Sequence, residues 1–317
     1  MPKNSPLFTI FTGLYNSQNI VNRVFESIES QTFRDFEWIV IDDCSTDNSV
    51  SIMEQFIKKN SDLNIKFIKH SENQGVNASR KEALFLATGK YFISWDHDDI
   101  QLENQLEVLR QLWEENDTSQ IANIFSKMTD QEGKILGHDF PSELYISDYI
   151  NLHNDYLVGN KKKGIVIEHH VCVKVEKLKE VISFFERNAD LGKKDNFQLA
   201  DLWGTIAYLG YKTLCTNQVL RKKFVFEEGR QSLSNSPRNK NPERIYTHKL
   251  LWVNYWESKL HKKSMKWIIR NHVAVAMYGL MANKTLKAII NDTIYISSKI
   301  LILITFIPSY YLAKKFE

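Results

Sequence analysis

Cysteine is scarce in this sequence, and the chain lacks the patterns that place cysteines in metal sites or disulfides. Its 317 residues include only three cysteines, Cys44, Cys172 and Cys215. They lie far apart, are odd in number and form no CxxC pair, so neither a structural zinc site nor a disulfide framework is expected. A reducing compartment fits this usage. No apolar segment follows the charge in residues 1–6, and we therefore expect no signal peptide.

Nucleic-acid-binding motifs and long apolar runs are also missing from the sequence. No zinc-finger spacing or RNA-binding sheet motif occurs, so we expect no nucleic-acid partner. The apolar core of the C-terminal tail, residues 300–307, is too short to span a bilayer, for which a helix needs about 20 residues. Lys299 and Pro308 are expected to interrupt any longer span.

Charge is distributed unevenly, although the formal net charge is only +3. From Lys212 to the end there are 19 Lys and Arg against 6 Asp and Glu, whereas the first 211 residues hold 22 against 32. A basic segment of this kind indicates a polyanionic partner. We favour a membrane surface, because Tyr310, Tyr311 and the terminal lysines resemble interfacial anchors. The tail is expected to lie in the membrane interface; the alternative is a terminal helix packed on its own domain or on a partner subunit.

Strands and helices alternate through the first hundred residues. Apolar β-rich runs occur at 8–12, 38–41, 65–68 and 91–95, and segments with helical spacing lie between them. This alternation predicts βαβ units and an α/β fold with a mostly parallel sheet flanked by helices. Gly89 is expected to end the third helix as its C′ residue. From Ile245 onward the helical signal is strong and rich in aromatic residues.

Acidic residues mark the carboxyl ends of two of these strands. Asp42 and Asp43 follow the second strand, and Asp96, Asp98 and Asp99 follow the fourth. Ligands bind at this edge of a parallel sheet, and closely spaced carboxylates repel one another unless a cation or donors hold them. Oxygen ligands suit Mg²⁺ or Mn²⁺ together with a nucleotide diphosphate. The alternative for the second group is a solvated acidic turn that caps the following helix.

Five segments carry a resemblance to a known family, in that family's order: FTIFTGLYNSQNIVNRVFESIESQTF, FEWIVIDDCSTDNS, NQGVNASRKEALFLATGKYFISWDHDD, IEHHVCV and DLWGTIAYLGYK. They resemble the family 2 glycosyltransferases, inverting enzymes of the GT-A fold that use nucleotide-sugar donors. The resemblance implies a GT-A glycosyltransferase domain at 1–235, with a Rossmann-like nucleotide-sugar-binding half at 1–100 and an acceptor-binding half at 101–235. A basic, aromatic-rich helical extension with a membrane-associating C-terminus then occupies 236–317.

The same resemblance implies a metal site and a base-recognition residue. Asp98 and Asp99 take the metal-binding role: Asp99 ligates Mn²⁺ or Mg²⁺, and Asp98 contacts the donor sugar or a metal-bound water. The ion offsets the charge that builds up on the departing nucleotide diphosphate, as a Lewis acid. Asp43 accepts a hydrogen bond from N3–H of uracil.

Three further residues are implied on the donor side. Gly13 lets the backbone approach the base closely. Tyr15 offers a ring face for stacking, with a core aromatic as the alternative. Arg80 neutralises the diphosphate or braces the acidic cluster, and its alternative is a solvated helix cation.

The general base is the point at which this sequence departs from the family. The family usually has a Glu-Asp pair shortly before a helix that contains Leu-Trp, and those positions hold Gln198 and Leu199. A base must deprotonate the acceptor hydroxyl, and Asp201 is the favoured residue, with Asp195 as the alternative. Residues Gln218–Lys222 are only superficially similar to the QxxRW signature of processive polysaccharide synthases, because the Trp is missing. We assign no role to them.

On the acceptor side, Glu168 and His169 match an acidic residue–histidine pair of some family members. The resemblance and the basic tail together imply a cytoplasmic enzyme, peripheral on the inner face of the membrane. It is expected to move a sugar from a UDP-sugar to a glycan or a polyprenyl-diphosphate-linked acceptor of a bacterial surface polysaccharide, such as capsule or O-antigen. The rivals are a catalytically inactive nucleotide-sugar- or glycan-binding relative and a nucleotidyltransferase, which normally has a Gly-rich, basic loop after the first strand.

Overall fold

A ten-stranded sheet belongs to the first of two units into which contacts divide the chain. The computed structural model describes residues 5–152, 170–187, 199–224, 241–259 and 265–316. The first unit comprises Met1–Asp148, Asp155–Glu180 and Gly210–Glu227, and the second comprises Tyr149–Asn154, Val181–Leu209 and Glu228–Glu317. The domain boundaries expected from the sequence, at residues 100 and 235, stay predictions.

Parallel strands with apolar sequences build the first half of the sheet. They are β1 (Phe8–Leu14), β2 (Phe36–Asp42), β3 (Ile65–Lys69) and β4 (Tyr91–Ser94). Their order is β3-β2-β1-β4, and every pairing among them is parallel. All seven residues of β2 are buried, as expected of a strand covered on both faces. This arrangement brings the carboxyl ends of all four strands to one edge.

The second half of the sheet mixes strand directions. Its strands are β5 (Ile100–Gln101), β6 (Ile121–Thr129), β7 (Ile135–Leu136), β8 (Leu144–Ser147), β9 (His170–Lys174) and β10 (Lys212–Lys222). β9 runs antiparallel to both β4 and β6, while β6 and β10 are parallel. β5 and β8 pair with β10, and β7 pairs with β6, all antiparallel. The predicted α/β fold with a mostly parallel central sheet is confirmed, and β9 is the reversal that periodicity did not indicate.

Amphipathic helices connect the strands of the first half. They are α1 (Asn22–Ser30), α2 (Ser49–Lys59) and α3 (Val76–Leu86), and α4 (Gln105–Asn116) connects β5 to β6 in the second half. The helical spacing of the apolar residues has the expected consequence, since α1 buries Val24, Phe25 and Ile28. Phe25 stacks on Phe56 of α2 with ring centroids 4.0 Å apart, and this pair helps to fix both helices.

The second unit is helical among its described residues. Its helices are α5 (Tyr149–Leu152), α7 (Leu199–Tyr208), α8 (Pro242–Asn254), α9 (Met265–Met281), α10 (Leu286–Asp292) and α11 (Ile296–Phe316), with a 3₁₀ turn at Trp256–Lys259. Helix α6 (Val175–Arg187) begins in the first unit and ends in the second. α11 packs on α9, where the hydroxyl of Ser309 donates to the carbonyl of Val273 over 3.3 Å. The expected helical C-terminal region is confirmed.

The last helix, α11, runs unbroken through Lys299 and Pro308, so the expected interruption at these residues is wrong. Pro308 is exposed, and the backbone donor that it removes is lost on the solvent side of the helix. Residues Ile296–Lys314 are long and apolar enough to cross a bilayer by length and composition alone, and 28% of this apolar window is buried within the chain.

Gly89 does not end α3 as a C′ residue, since the helix stops at Leu86 and Gly89 is not in the left-handed region. Glycine is required at this position because the backbone packs closely there. A Cβ at this position would lie 2.7 Å from the carbonyl carbon of Phe8 and 2.7 Å from the backbone nitrogen of Thr9. Its N–H also donates to Oε1 of buried Glu37 over 3.2 Å. The turn before β4 therefore rests directly on the start of β1.

We expect Gly89→Ala to lower the midpoint of urea-induced unfolding, with a loss of about 1–3 kcal/mol, the usual cost of overpacking. Gly13→Ala is the matched control, because its Cβ would meet Phe11 Cζ at 3.4 Å and Val76 Cγ2 at 3.5 Å, which are ordinary contacts. Tryptophan fluorescence reports both transitions. Equal midpoints for the two variants would contradict the packing explanation.

Candidate active site

The loop that follows β4 gathers three carboxylates. Asp96, Asp98 and Asp99 each place an oxygen within 4.8 Å of the others. The side chain of Asp96 is 49% exposed, whereas that of Asp99 is 2% exposed. Because hard divalent cations prefer carboxylate oxygens, this set of ligand atoms fits Mg²⁺ or Mn²⁺. We call Asp96, Asp98 and Asp99 the acidic loop.

Arg221, near the end of β10, is bound to two of these carboxylates. Its Nε donates to Asp99 Oδ2 over 2.8 Å, and its Nη2 donates to Oδ2 of both Asp96 and Asp99. The other oxygen of Asp99 accepts from the backbone N–H of Phe224 over 2.9 Å. Strand pairing explains the position, since Arg221 lies opposite Gln101 of β5, two residues beyond Asp99. A protein cation therefore neutralises part of the acidic loop.

This ion pairing sets the acid strength of the acidic loop. Burial acts to raise the pKa of Asp96, but the positive charges of Arg221 and Arg80 outweigh it and hold that pKa at about 2. Burial acts to lower the pKa of Arg221, and the carboxylates of Asp96 and Asp99 more than compensate, so that pKa lies above its ordinary value. Asp96 therefore stays ionised and Arg221 stays charged at neutral pH.

Two further contacts fix the backbone of the acidic loop. Arg23, from α1, donates to the carbonyl of Asp98 over 3.0 Å, and its guanidinium carbon lies 3.8 Å from the ring centroid of Phe224. His97 Nδ1 donates to the carbonyl of Gly13 over 2.9 Å, which places a proton on that nitrogen. The loop is thereby joined to the carboxyl end of β1.

Asp43, directly after β2, is bound to the segment that leads into α3. Its Oδ1 accepts from Gln74 N–H over 2.8 Å and from His70 Nδ1 over 2.9 Å, and its Oδ2 accepts from Gly75 N–H over 2.7 Å. A carboxylate has about four acceptor positions, so these contacts fill three of them. His70 Nε2 also bonds Glu82 over 2.8 Å. Burial acts to lower the pKa of His70, and the two carboxylates raise it above its usual value.

The other donor-side residues predicted from the sequence lie around the same edge. Gly13 is the penultimate residue of β1, and Tyr15 follows that strand with 49% of its surface exposed. Arg80, on α3, donates through Nε to Ser94 Oγ over 3.5 Å and through Nη1 to Asn77 Oδ1 over 2.9 Å. The structure therefore brings the predicted donor-side residues to one edge of the sheet.

Asp201, the favoured base, lies on α7 in the second unit. Its side chain is fully buried, and its Oδ1 accepts from His248 Nδ1 over 2.5 Å. The His248 ring lies edge-on to Trp256, with centroids 5.8 Å apart. This pair joins α7 to α8. The remaining acceptor-side predictions lie outside the described residues: Asp195, Glu168 and His169.

Arg221 is the functional candidate that pattern reasoning missed. The segment Gln218–Lys222 has no role by motif, yet its arginine is the cation bound to the acidic loop. The available signal was a basic residue within a strand rich in apolar residues, since a buried arginine needs a partner. Arg221 is 8% exposed, and Leu220 before it is 1% exposed. The identity of the partner was not readable from the sequence.

Comparison with known proteins identifies relatives of this chain. A family model described as "Glycosyl transferase family 2" matches residues 9–182. The putative colanic acid biosynthesis glycosyl transferase WcaA of Escherichia coli K12 is 35% identical over 106 residues, which are 33% of this chain and 37% of the relative. Glycosyltransferase GlyG of Streptococcus pneumoniae is 31% identical over 153 residues, 46% of this chain and 50% of the relative. The chain thus spans half or less of the length of these two relatives.

Solved structures share the fold over nearly the whole chain. S. aureus TarS 1-349 in complex with UDP has a TM-score of 0.58 at 15% identity, covering 97% of this chain and 90% of that chain. The complex of TarS 1-349 with UDP-GlcNAc has a TM-score of 0.57 at 17% identity, covering 95% and 81%. The predicted GT-A fold is confirmed by this likeness.

We expect His248→Ala to destabilise the protein by about 1–3 kcal/mol, because it removes the hydrogen bond from His248 Nδ1 to the buried carboxyl group of Asp201. The double variant Asp201→Leu/His248→Leu replaces both polar partners with apolar residues and should recover most of that loss. Urea unfolding followed by circular dichroism measures both. If the double variant is no more stable than His248→Ala, the hydrogen bond to Asp201 does not explain the loss of stability.

Proposed function

The chain belongs to glycosyl transferase family 2, and we propose that it transfers a sugar from a nucleotide-diphosphate donor to a glycan or lipid-linked acceptor, with inversion. The proposal rests on one observation: the residues expected to contact the nucleobase lie at the same edge of the sheet as the acidic loop. The hydrogen bond from His97 to the carbonyl of Gly13 joins the two groups. UDP is the proposed nucleotide, because TarS, which shares the fold, has been solved with UDP and with UDP-GlcNAc.

In this proposal each donor-side residue contacts the nucleobase or the diphosphate of the donor. Asp43 accepts from N3–H of uracil with its remaining acceptor position, and the exposed ring of Tyr15 stacks on the base. Gly13 lets the backbone approach the base, since no side chain stands in the way. Arg80, whose charge already acts on Asp96, faces the diphosphate.

Family 2 enzymes commonly use a divalent metal, and Mn²⁺ or Mg²⁺ is the proposed ion here. Asp98 and Asp99 would hold it, with Asp96 supporting the loop, because the three carboxylates form a suitable set of oxygen ligands. When bound, the ion offsets charge on the departing diphosphate. To hold the ion through Oδ2, Asp99 has to release the guanidinium of Arg221.

Inversion requires a base that removes the proton of the acceptor hydroxyl. Asp201 is the first candidate and Asp195 the second, with Glu168 and His169 in contact with the acceptor. The Asp201 side chain is fully enclosed, so its bond to His248 has to open before it can reach a hydroxyl. A catalytically inactive donor-binding relative is the second candidate function, because Gln198 stands where the family usually has an acidic residue.

A lipid-linked acceptor at the inner face of the cell membrane suits the surface of α11. Six exposed apolar residues follow helical spacing along one face of this helix: Ile296, Ile300, Leu303, Ile304, Ile307 and Tyr311. Its buried residues include Thr305 and Ser309, so the helix is more apolar outside than inside. We call the exposed set the apolar stripe. Its packing partner α9 carries Arg270, Asn271 and His272, and these polar residues favour a pair lying in the interface over one that spans.

The proposed product is a bacterial surface polysaccharide. WcaA is named for colanic acid biosynthesis, and another relative, TuaG of Bacillus subtilis, is named for teichuronic acid biosynthesis. TuaG is 32% identical over 108 residues, 33% of this chain and 42% of the relative. A cytoplasmic, membrane-peripheral location would give the enzyme both its soluble donor and a lipid-linked acceptor.

The donor site is tested by thermal unfolding with UDP, GDP and their sugars, with and without Mn²⁺. We expect a Mn²⁺-dependent rise of the melting temperature with UDP, since a ligand at 100 times its Kd stabilises the native state by about 2.7 kcal/mol. Asp98→Asn should lose the shift, and Asp62→Asn, whose side chain is 78% exposed, should keep it.

If no nucleotide raises the melting temperature of the wild type, with or without Mn²⁺, the proposed donor site is wrong. Transfer of radiolabelled sugar to lipid-linked acceptors then separates the two candidate functions. The inactive relative binds the donor but neither hydrolyses nor transfers it.

Membrane binding is tested by sedimentation with vesicles of phosphatidylglycerol and phosphatidylethanolamine. Ile304→Glu places a charge in the apolar stripe and should weaken membrane binding by about tenfold or more, because losing the burial of an isoleucine side chain alone costs about 1.5–3 kcal/mol. Asn291→Glu, at an exposed position of α10, adds the same charge outside the stripe and is the control. Equal binding of the two variants would refute the stripe as the contact surface.

A further inference from the structure

Arg221 places a permanent positive charge inside the proposed metal site. We propose that Arg221 is a resident counter-ion of the acidic loop, a positioning residue that holds Asp99 and Asp96 until the donor arrives and so makes binding of the divalent ion depend on the donor. The inference rests on the proposed function and goes beyond it, because it assigns an order of binding and a residue that imposes the order.

The first step is that Asp99 has no unengaged oxygen. Oδ2 accepts twice from the Arg221 guanidinium and Oδ1 accepts from the Phe224 amide. Its side chain is 2% exposed, so water contributes little to it. An ion that takes Oδ2 of Asp99 as a ligand therefore has to displace a charged, doubly bonded donor from a buried carboxylate.

The second step concerns charge. A guanidinium in contact with Asp96 and Asp99 repels any cation that approaches the same oxygens. Arginine remains protonated at every physiological pH, so a change of pH does not remove this repulsion. Only another anion can draw the guanidinium away.

The third step is that the donor supplies such an anion. A diphosphate offers paired oxygens that match the planar fork of arginine. Asp96 is 49% exposed, so the side of the ion pair that it forms with Arg221 Nη2 borders the surface of the unit. A diphosphate that binds Arg221 releases two carboxylates at the moment the ion is needed.

The order of binding is measured by titrating Mn²⁺ into the full chain and counting free Mn²⁺ by electron paramagnetic resonance, with and without UDP. The wild type should bind Mn²⁺ weakly alone and at least about tenfold more tightly with UDP. Arg221→Gln should bind Mn²⁺ without UDP about tenfold more tightly than the wild type, because a unit charge next to the site is gone. Asp99→Asn/Arg221→Gln removes both charges of the pair and should return to within about threefold of the wild type.

Folding of the single variant is followed in the same samples by its melting temperature. Mn²⁺ alone should raise the melting temperature of Arg221→Gln and leave that of the wild type unchanged. A single variant that binds Mn²⁺ no better than the wild type, or that stays unfolded in Mn²⁺, overturns the inference. If the wild type binds no Mn²⁺ even with UDP, the proposed metal site is wrong as well. If the wild type binds Mn²⁺ only with UDP but Arg221→Gln has no higher affinity for Mn²⁺ alone, only the counter-ion role of Arg221 is wrong.

Discussion

Parallel pairing of β1 with β2 on one side and with β4 on the other is the constraint on which the candidate site depends. It aligns the carboxyl ends of three strands, and the polar groups at or just after these ends lie beyond the strand pairing. Gly13, Asp43 and the acidic loop come together because strands of this direction end at the same edge. The contacts that join them, such as His97 to Gly13, are short-range consequences of that alignment.

Buried polar pairs are the second organising feature. The first unit encloses Arg221 with Asp99, and the second encloses Asp201 with His248. Such pairs add little stability over apolar replacements, yet removing one partner is costly. We therefore infer that these pairs specify the arrangement of the segments they join more than they raise the free energy of unfolding. In the first unit the pair fixes the position of a carboxylate of the proposed metal site, and in the second it joins two helices.

Local pattern was sufficient for much of this protein. Strand and helix alternation, the acidic residues at two strand ends and the apolar tail are all properties of short segments, so periodicity and composition determine them. The family resemblance added the fold. Element ends moved by only a few residues, as between the expected strand at 38–41 and the observed Phe36–Asp42.

Tertiary structure alone decided the partners of the charged groups. Arg221 and Asp99 are 122 positions apart, and they meet because the order β9-β6-β10-β5 returns β10 to the residues just after the acidic loop. The role of Gly89 depends on β1 in the same way, as a backbone contact 80 positions distant. The helix α11 continues through Pro308, which faces solvent, while its other face packs against α9. Sequence patterns specify which faces must be buried, whereas contacts between distant segments depend on the strand order and helix packing of the whole chain.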